Sequence, residues 1–360
     1  MNKETFYDNG NIRQRITYEK GTSVDEDGFP SQGLRESYHH NGQLWMRGNF
    51  KDDKQEGLGE EFSENGQLIF RGHYKDGKPE GLWEKFNDSG QLWFKKNWKK
   101  GIKDGFWEYY YENGKLREKK NWKDGEQEKD GVDESYYENG QLRQKVNWKD
   151  GKREGLHETF NDDGQLISRG NYKDGEKEGL HESFHRNGQL WIKRKYKDGK
   201  EEGLSEKFYD NGQLEYKENY KNGELEGLRE TFHENGQLIF RGHYKNGKRE
   251  GLHEMFYDNG QLEYKKNYKN GKGEGLREEF YENGQLKYKE NRKEGKQDGL
   301  EESYYENGQL KKKLNWKDGE REGLFEEYHA NGQLKSRMNF IEGREQGPWE
   351  DYNKKGKQIK

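Results

Sequence analysis

The sequence has 360 residues, of which 38% are charged and only 26% are apolar, and its formal net charge at pH 7 is −4. So few apolar residues exclude a thick multilayer core, whereas 14% aromatic residues and a small net charge exclude a typical disordered chain. The near-neutral balance removes the electrostatic argument for DNA, RNA or an anionic membrane, and the absence of cysteine excludes disulfides, thiolate metal sites and cysteine nucleophiles.

The chain begins with MNKETFYDNGNIRQ, which enters a repeat directly and contains no apolar signal-peptide core. No later stretch approaches the roughly 18 apolar residues that a membrane-spanning helix needs. These features predict a soluble, cytoplasmic protein.

One turn signal recurs through the whole chain. It is an Asn-Gly or similar dipeptide whose glycine occupies Gly10, Gly42, Gly66, Gly90, Gly114, Gly140, Gly164, Gly188, Gly212, Gly236, Gly260, Gly284, Gly308, Gly332 and Gly356. The step is 24 residues except for 32 before Gly42 and 26 before Gly140. A fixed period of this size indicates a repeat architecture.

Residues 64–87 show what one repeat contains. Asn65-Gly66 and Asp76-Gly77 are dipeptides that type I′ hairpin turns favour, so we predict such a turn at each. Between the turns the chain alternates with period two, which places on one face Leu68, Phe70 and Tyr74, and on the other Ile69, Arg71 and His73. Residues 81–86 form a second short strand with Leu82, Glu84 and Phe86 on one side. The repeat is a β-hairpin.

A single hairpin is marginally stable in water, and stacked hairpins bury one another's apolar stripes. The sequence therefore predicts an all-β fold, an elongated, twisted single-sheet ribbon of about 14–15 tandem 24-residue hairpins over residues 1–360. The insertion at residues 21–32 is either a solvated loop or a specificity loop. The two-residue insertion at residues 126–131 predicts a bulge or longer turn, and residues 344–360, with Pro348 and terminal lysines, are predicted to cap the array.

The recurring pattern Tyr-Lys-Asp-Gly-Lys…Glu-Gly-Leu…Glu…Phe-Tyr-Glu-Asn-Gly-Gln-Leu resembles the bacterial variant of the MORN repeat, which is found in the YwqK-type antitoxin family. The resemblance covers essentially the whole chain. It implies an elongated antiparallel sheet with a groove that can hold a partner segment, and lipid binding has also been proposed for such repeats. The eukaryotic form usually has Gly-x-Gly where this chain has Gly-Leu-x-Glu, as at residues 81–84, so its groove residues are not carried over.

A glutamate occupies one position of every second strand. This acidic column is Glu36, Glu60, Glu84, Glu108, Glu134, Glu158, Glu182, Glu206, Glu230, Glu254, Glu278, Glu302, Glu326 and Glu350. We expect a structural role, in which each carboxylate accepts hydrogen bonds from a turn N–H, a tyrosine hydroxyl or a neighbouring Lys or Arg. The alternative is an acidic track for a basic partner segment. A column of equivalent glutamates lacks the asymmetry of a catalytic carboxylate pair.

The position that follows Leu68, and the equivalent leucine of each other repeat, varies along the chain and is apolar mainly in the N-terminal half. The candidate partner-binding residues are Trp45, Ile69, Trp93 and Trp191 at this position, with Trp83 and Trp107 predicted to add to the same face. A single sheet cannot bury both faces, so these side chains should be partly exposed, and exposed apolar patches usually mark contacts. The alternative is that lysine stems and cross-strand neighbours cover them.

These features predict a non-enzymatic protein that binds another protein along its sheet and needs no cofactor or metal. The resemblance implies that the partner is a cognate toxin. The alternative is a peripheral scaffold that binds lipid. Alternating lysines and aromatic residues would also suit single-stranded nucleic acid, but the carboxylates beside those lysines argue against it.

Overall fold

The computed structural model describes residues 1–359, and within them every regular element is a β-strand. The chain divides into two compact units, a first unit at Met1–Glu176 and a second unit at Lys177–Lys360. Within each unit the strands pair in an antiparallel manner with their neighbours along the chain. The prediction of an all-β chain of tandem hairpins is confirmed.

The first unit is a meander. Its strands are β1 (Asn2–Phe6), β2 (Ile12–Thr17), β3 (Gly33–Tyr38), β4 (Leu44–Lys51), β5 (Lys54–Phe62), β6 (Leu68–Lys75), β7 (Lys78–Phe86), β8 (Leu92–Lys99), β9 (Ile102–Tyr110), β10 (Leu116–Lys123), β11 (Glu126–Gln127), β12 (Gly131–Tyr136), β13 (Leu142–Lys149), β14 (Lys152–Phe160) and β15 (Leu166–Lys173). Each pairs with its chain neighbour, except that β11 and β12 share the same side of β10.

The second unit continues the same pattern. Its strands are β16 (Glu176–Phe184, which starts at the last residue of the first unit), β17 (Leu190–Lys197), β18 (Lys200–Glu201), β19 (Gly203–Phe208), β20 (Leu214–Lys221), β21 (Glu224–Leu225), β22 (Gly227–Phe232), β23 (Leu238–Lys245), β24 (Lys248–Phe256), β25 (Leu262–Lys269), β26 (Lys272–Phe280), β27 (Leu286–Lys293), β28 (Lys296–Gln297), β29 (Gly299–Tyr304), β30 (Leu310–Lys317), β31 (Glu320–Tyr328), β32 (Leu334–Ile341) and β33 (Arg344–Asp351).

The two turns of each hairpin differ. Asp76 and Gly77 both have positive φ, at 52° and 77°, as a type I′ turn requires. The prediction of the same turn at Asn65-Gly66 is wrong, because only Gly66 has positive φ there. The Gly66 N–H donates to the Ser63 carbonyl (2.9 Å) and the Ser63 N–H to the Gln67 carbonyl (2.8 Å). This is a three-residue loop, a type I turn followed by a left-handed glycine.

A β-bulge follows each of these loops. In the β7–β8 pair, Lys85 lies opposite Phe94 and Phe86 opposite Leu92, which leaves Trp93 as the extra residue. A bulge bends the strand and re-aims its side chains. The centroid of the Trp93 ring accordingly lies 5.7 Å from that of the Phe94 ring. The Lys85 Nζ lies 4.9 Å from the Trp93 centroid.

This bulge overturns the predicted division of side chains between the two faces. Leu68 lies opposite Phe62 and not on the face of Phe70 and Tyr74, while Ile69 becomes the extra residue beside Phe70. The sequence cannot show this change, because a one-residue shift in register exchanges the faces of all side chains beyond it.

The two faces of the first unit are named by their residues. The tryptophan face carries Phe70, Tyr74, Trp83, Phe94, Trp98, Trp107 and Trp122, with the bulge residues Trp45, Ile69 and Trp93 beside it. The glutamate face carries Glu60, Glu84 and Glu108 opposite Arg47, Arg71, Lys95 and Lys119, together with the Leu92–Phe86 pair. Directly opposed residues of an antiparallel pair share a face, which fixes these assignments.

In each unit, burial is concentrated on one face of the strands. The buried apolar residues of the first unit are Ile16, Phe70, Trp107 and Val146, and those of the second are Tyr196, Leu314, Met338 and Phe340. In the second unit Leu314, Met338 and Phe340 form a cluster against which Trp316, Phe325 and Trp349 pack. The core is therefore a thin layer, as the low apolar content requires.

The insertion at residues 21–32 folds back on the first strands. Val24 and Pro30 form an antiparallel bridge, and Pro30 is fully buried. The Lys3 ammonium group lies 5.1 Å from the centroid of the Phe29 ring and donates to the backbone of the same loop. The loop is thus packed against the sheet, and its role in specificity stays a prediction.

The other two irregular segments keep the pairing of their neighbours. In residues 126–131 the Glu128 N–H donates to the Asn121 carbonyl (2.8 Å), and a short break separates β11 from β12. In residues 344–360, β33 pairs with β32 and the Trp349 ring lies 5.4 Å from that of Phe325. That this last segment acts as a cap stays a prediction.

A candidate partner-binding face in the first unit

A row of aromatic rings crosses the tryptophan face from β6 to β10. The ring centroid of Trp83 lies 5.0 Å from that of Tyr74 and 5.6 Å from that of Trp98. Trp107 continues the row, at 5.0 Å from Trp98 and 5.3 Å from Trp122. Tilted rings at these separations stabilise one another by more than the burial of their apolar area alone. The row therefore forms a rigid apolar surface.

The backbone holds two of these rings in place. Trp83 lies opposite Gly72, where an added Cβ would come within 2.6 Å of the indole Cδ1. The Trp83 indole N–H donates to the His73 carbonyl (2.9 Å), and that of Trp107 to the Asn97 carbonyl (3.1 Å). Trp107 is only 6% exposed. Trp83 and Trp107 therefore shape the face more than they offer surface to a partner.

Two other candidate residues are open to solvent. Trp45 is 46% exposed and Trp93 is 47% exposed, while Ile69 is half-buried. The three occupy the equivalent bulge position of β4, β6 and β8, about 10 Å apart because they are two strands apart. Trp191 is 42% exposed but belongs to the second unit, where its ring lies 6.1 Å from that of His185.

Three half-buried lysines lie among the rings of the tryptophan face. The Lys96 ammonium group is 3.9 Å from the Phe94 ring centroid and 4.6 Å from that of Trp107. The Lys103 ammonium group is 4.5 Å from Trp107, and Lys85 is 4.9 Å from Trp93. We call Lys85, Lys96 and Lys103 the lysine cluster.

The lysine cluster has no counter-charge of its own. Over residues 1–359, none of its three ammonium groups makes an ion pair or donates a hydrogen bond to a side chain or carbonyl. Burial, and then repulsion by Lys103 and Lys85, lowers the pKa of Lys96. The cluster is therefore a patch of unneutralised positive charge held against aromatic surface.

The acidic column, by contrast, lies in a ladder of ion pairs. Lys or Arg partners face Glu60, Glu84, Glu108, Glu206, Glu230 and Glu254. In register, Glu158 lies opposite Lys145 and Arg169, and Glu182 opposite Lys193. Several also accept tyrosine hydroxyls, such as that of Tyr110 on Glu108 (2.8 Å). Burial and then its hydrogen bond to Glu134 raise the pKa of Tyr136 to about 12.

A second set of glutamates joins one hairpin to the next. The Glu of each Glu-Gly-Leu motif accepts the backbone N–H that opens the following type I′ turn, 20 residues later. Examples are Glu56 to Asp76 (2.9 Å), Glu80 to Lys100 (2.6 Å), Glu154 to Asp174 (2.9 Å), Glu178 to Asp198 (3.0 Å), Glu202 to Asn222 (2.8 Å), Glu226 to Asn246 (2.9 Å), Glu250 to Asn270 (2.8 Å) and Glu274 to Glu294 (2.9 Å). We call this set the turn-capping glutamates.

Comparison with protein families gives a match along nearly the whole chain. The MORN repeat variant matches residues 2–20, 31–52, 55–76, 79–100, 103–124, 129–150, 153–174, 177–198, 201–222, 225–246, 249–270, 273–294, 297–318 and 321–342. The chain belongs to the MORN repeat variant family. A search of curated proteins found no match.

Among solved structures, a chain in the crystal structure of TcdB2-TccC3-Cdc42 is similar at 10% identity and a TM-score of 0.16. The aligned region covers 97% of this chain and 24% of that one, so this chain spans about a quarter of the other's length. A similarity this low carries no information about function.

The family match places the repeat boundaries on the structure. Residues 55–76 cover β5, the three-residue loop and β6, so one MORN repeat variant is the hairpin closed by that loop. The type I′ turn at Asp76-Gly77 joins one repeat to the next. Consecutive repeats are therefore linked by their shortest turn and by a turn-capping glutamate.

The second unit of this MORN repeat variant protein contains a buried carboxylate whose charge is neutralised by its neighbours. Glu290, only 1% exposed, pairs with Arg277 (3.2 Å) and Arg292 (2.7 Å) and accepts from Gln297 (2.7 Å). Burial alone would raise the pKa of Glu290, but the hydrogen bonds from Arg292 and Gln297 outweigh it and lower that pKa. The free charge of the lysine cluster has no equivalent in this network.

Sequence reasoning missed the lysine cluster and the turn-capping glutamates. A signal for the former was present, because Lys96 occupies the position that is glycine in the two preceding repeats, at Gly48 and Gly72. Over residues 1–359 no group of three His, Asp or Glu side chains is placed to hold a metal ion. No helix long and apolar enough to span a membrane occurs in that same stretch.

Proposed function

We propose that this chain is a non-enzymatic scaffold that binds a segment of another protein on the tryptophan face of its first unit. The single observation that carries the proposal is the exposure of Trp45 and Trp93, nearly half of each side chain. Repeat proteins of the MORN type act as interaction or membrane-binding scaffolds.

Tryptophan exposed to water carries a free-energy cost that a partner can remove. Burial of apolar surface stabilises a complex by about 25 cal/mol per Å², and tryptophan is enriched among the residues that dominate binding energy. Each exposed ring already contacts a neighbour, since Trp45 lies 6.2 Å from the His39 ring and Trp93 lies 5.7 Å from the Phe94 ring, so a partner would lose little energy in ordering them. The more specific hypothesis, based on the resemblance to antitoxins, is that the partner is a cognate toxin.

Affinity capture from native lysate tests the proposal. The Trp45→Lys/Trp93→Lys double variant should lose a partner that the unmodified chain captures in stoichiometric amount. Trp107 is left intact, because its burial and its hydrogen bond to Asn97 make its replacement a test of folding.

The matched control is Leu58→Lys/Phe106→Lys. These apolar side chains are 40% and 46% exposed and lie on the glutamate face, opposite His73 and Asn121. The control should retain the partner. Retention by the tryptophan variant, or capture of anionic vesicles and no protein, would contradict the proposal, and toxicity of the partner when expressed alone would support the antitoxin hypothesis.

A further inference from the structure

We infer that the segment bound on the tryptophan face is acidic, with carboxylates that pair with Lys96 and Lys103 and apolar side chains that pack on the exposed tryptophans. The inference rests on the proposed protein-binding function and adds the chemistry of the partner. It is carried by the contrast between the unpaired lysine cluster and the ion-paired glutamate face of the same unit.

The first step is that three lysines of the cluster lie together without a carboxylate, whereas neighbouring lysines of the first unit are paired. On the glutamate face, Lys119 pairs with Glu108 (3.5 Å) and Lys145 with Glu134 (3.6 Å). On the tryptophan face just beyond the cluster, Lys120 pairs with Glu118 (3.4 Å). The three cations of the lysine cluster meet only aromatic rings in the described part of the chain.

The second step is that two cations share one ring. The ammonium groups of Lys96 and Lys103 lie 4.6 Å and 4.5 Å from the centroid of Trp107, and Lys103 is also 3.8 Å from that of Trp122. Each gains from the ring, but each also repels the other. A carboxylate placed between them would pair with both, and the partly desolvated setting would strengthen the pairing.

The third step is that the surroundings favour a side chain over a membrane surface. A lipid headgroup layer meets the residues that protrude furthest. Lys96 is half-buried among Phe94, Trp107 and Tyr109, with the last ring centroid 4.9 Å from its Nζ. A recessed cation beside exposed Trp93 fits an extended segment that alternates acidic and apolar residues.

The fourth step is that the positive region is too short for a nucleic-acid strand. Nucleic-acid grooves carry cations along many successive phosphates. Here the neutralised Glu118–Lys120 pair lies on one side of the cluster, and Glu61, opposite Phe70, lies on the other. The net charge of the whole chain is −4.

Fluorescence anisotropy with the full chain tests the inference. The probe is a labelled peptide of Glu, Leu and Ser, about 12 residues long, which spans roughly 40 Å when extended. A second peptide carries Lys in place of each Glu. The chain should bind the acidic peptide about tenfold or more tightly than the basic one, and about 0.5 M salt should weaken that binding.

The decisive variant is Lys96→Gln/Lys103→Gln, which removes the charge and keeps most of the side chain. It should lose about tenfold or more in affinity for the acidic peptide, as expected when charge-assisted hydrogen bonds are lost. The control Lys119→Gln/Lys145→Gln removes two lysines of the glutamate face and should bind within about twofold of the unmodified chain. Circular dichroism and thermal unfolding verify that both variants fold.

Equal affinity for the two peptides, or an unchanged affinity in Lys96→Gln/Lys103→Gln, would overturn the inference. So would lysine-dependent binding of oligothymidylate or of phosphatidylserine vesicles without binding of the acidic peptide. Lysate capture separates this failure from that of the proposed function. If the Trp45/Trp93 variant loses the partner and the Lys96/Lys103 variant keeps it, the proposed function stands and this inference alone fails. If both variants keep the partner, the proposed function fails as well.

Discussion

Gly72 shows how one residue decides where an aromatic side chain lies. It faces Trp83 across β6 and β7, and the indole fills the space that a side chain would take. The equivalent Gly48 meets only the end of the flexible Gln55 side chain, at 2.7 Å from an added Cβ to Nε2. The two glycines have the same place in the repeat but different consequences.

Gly72→Ala should therefore destabilise the chain where Gly48→Ala does not. Overpacking a rigid site costs about 1–3 kcal/mol, whereas a mobile amide can move at a cost within about 0.5 kcal/mol. Urea unfolding followed by tryptophan fluorescence measures both. Equal effects of the two substitutions would mean that Trp83 is not fixed against Gly72.

His253 is a second residue whose role depends on its neighbours. It is 1% exposed, its Nε2 lies 2.8 Å from the His243 carbonyl, and its buried Nδ1 has no hydrogen-bond partner within residues 1–359. The Nε2 therefore carries the proton and the ring is neutral. Burial lowers the pKa of His253, and the hydrogen bond to the His243 carbonyl opposes this effect only in part.

This lowered pKa predicts a loss of stability in acid. The unfolded chain takes up a proton near the ordinary histidine value of 6.5, and the folded chain does so only at lower pH, so the free energy of unfolding should fall as pH drops below about 6.5. His253→Phe should remove this component, since Phe325 already occupies the equivalent position. Melting temperatures at neutral and acidic pH measure it, and an identical pH dependence in the variant would refute the assignment.

At the scale of the hairpin, the turn-capping glutamates link each repeat to the next. Glu226 accepts the backbone N–H of Asn246 (2.9 Å), which opens a type I′ turn. Glu224 lies two residues earlier, on the short strand β21, and makes no side-chain hydrogen bond or ion pair within the described residues. The two glutamates form a natural comparison.

Glu226→Ala should lower stability by about 1 kcal/mol and speed hydrogen exchange at the Asn246 amide, because that N–H loses a charged acceptor. Glu224→Ala should change neither property, and Glu226→Gln should keep most of the protection. Unaltered exchange at Asn246 in the alanine variant would show that the cap contributes nothing.

The hairpins themselves follow from the sequence, but their faces do not. The 24-residue period, the Asp76-Gly77 turn and the period-two alternation are enough to predict tandem hairpins. Period-two alternation does not reveal the bulge at Ile69 or at Trp93. That bulge decides which face each side chain joins. The lysine cluster was missed because its members lie on three different strands, and alternation along one strand does not show cross-strand neighbours.

At the scale of the whole molecule, the two units have the same repeats but different surface chemistry. The first unit combines exposed tryptophan with uncompensated lysine. The second unit combines tyrosine, arginine and buried glutamate in a network whose charges are paired, as at Glu290 and Glu301. One family repeat thus supports the proposed binding face in one unit and the Glu290 network in the other.

The most direct test of the account is oxidative footprinting of the captured complex. It should show protection of Trp45 and Trp93 relative to the free chain, with Leu58 and Phe106 on the glutamate face unchanged. Trp191, exposed to a similar degree in the second unit, is an internal reference. Protection confined to the glutamate face or to Trp191, with Trp45 and Trp93 still oxidised as in the free chain, would contradict the assignment of the tryptophan face as the binding site.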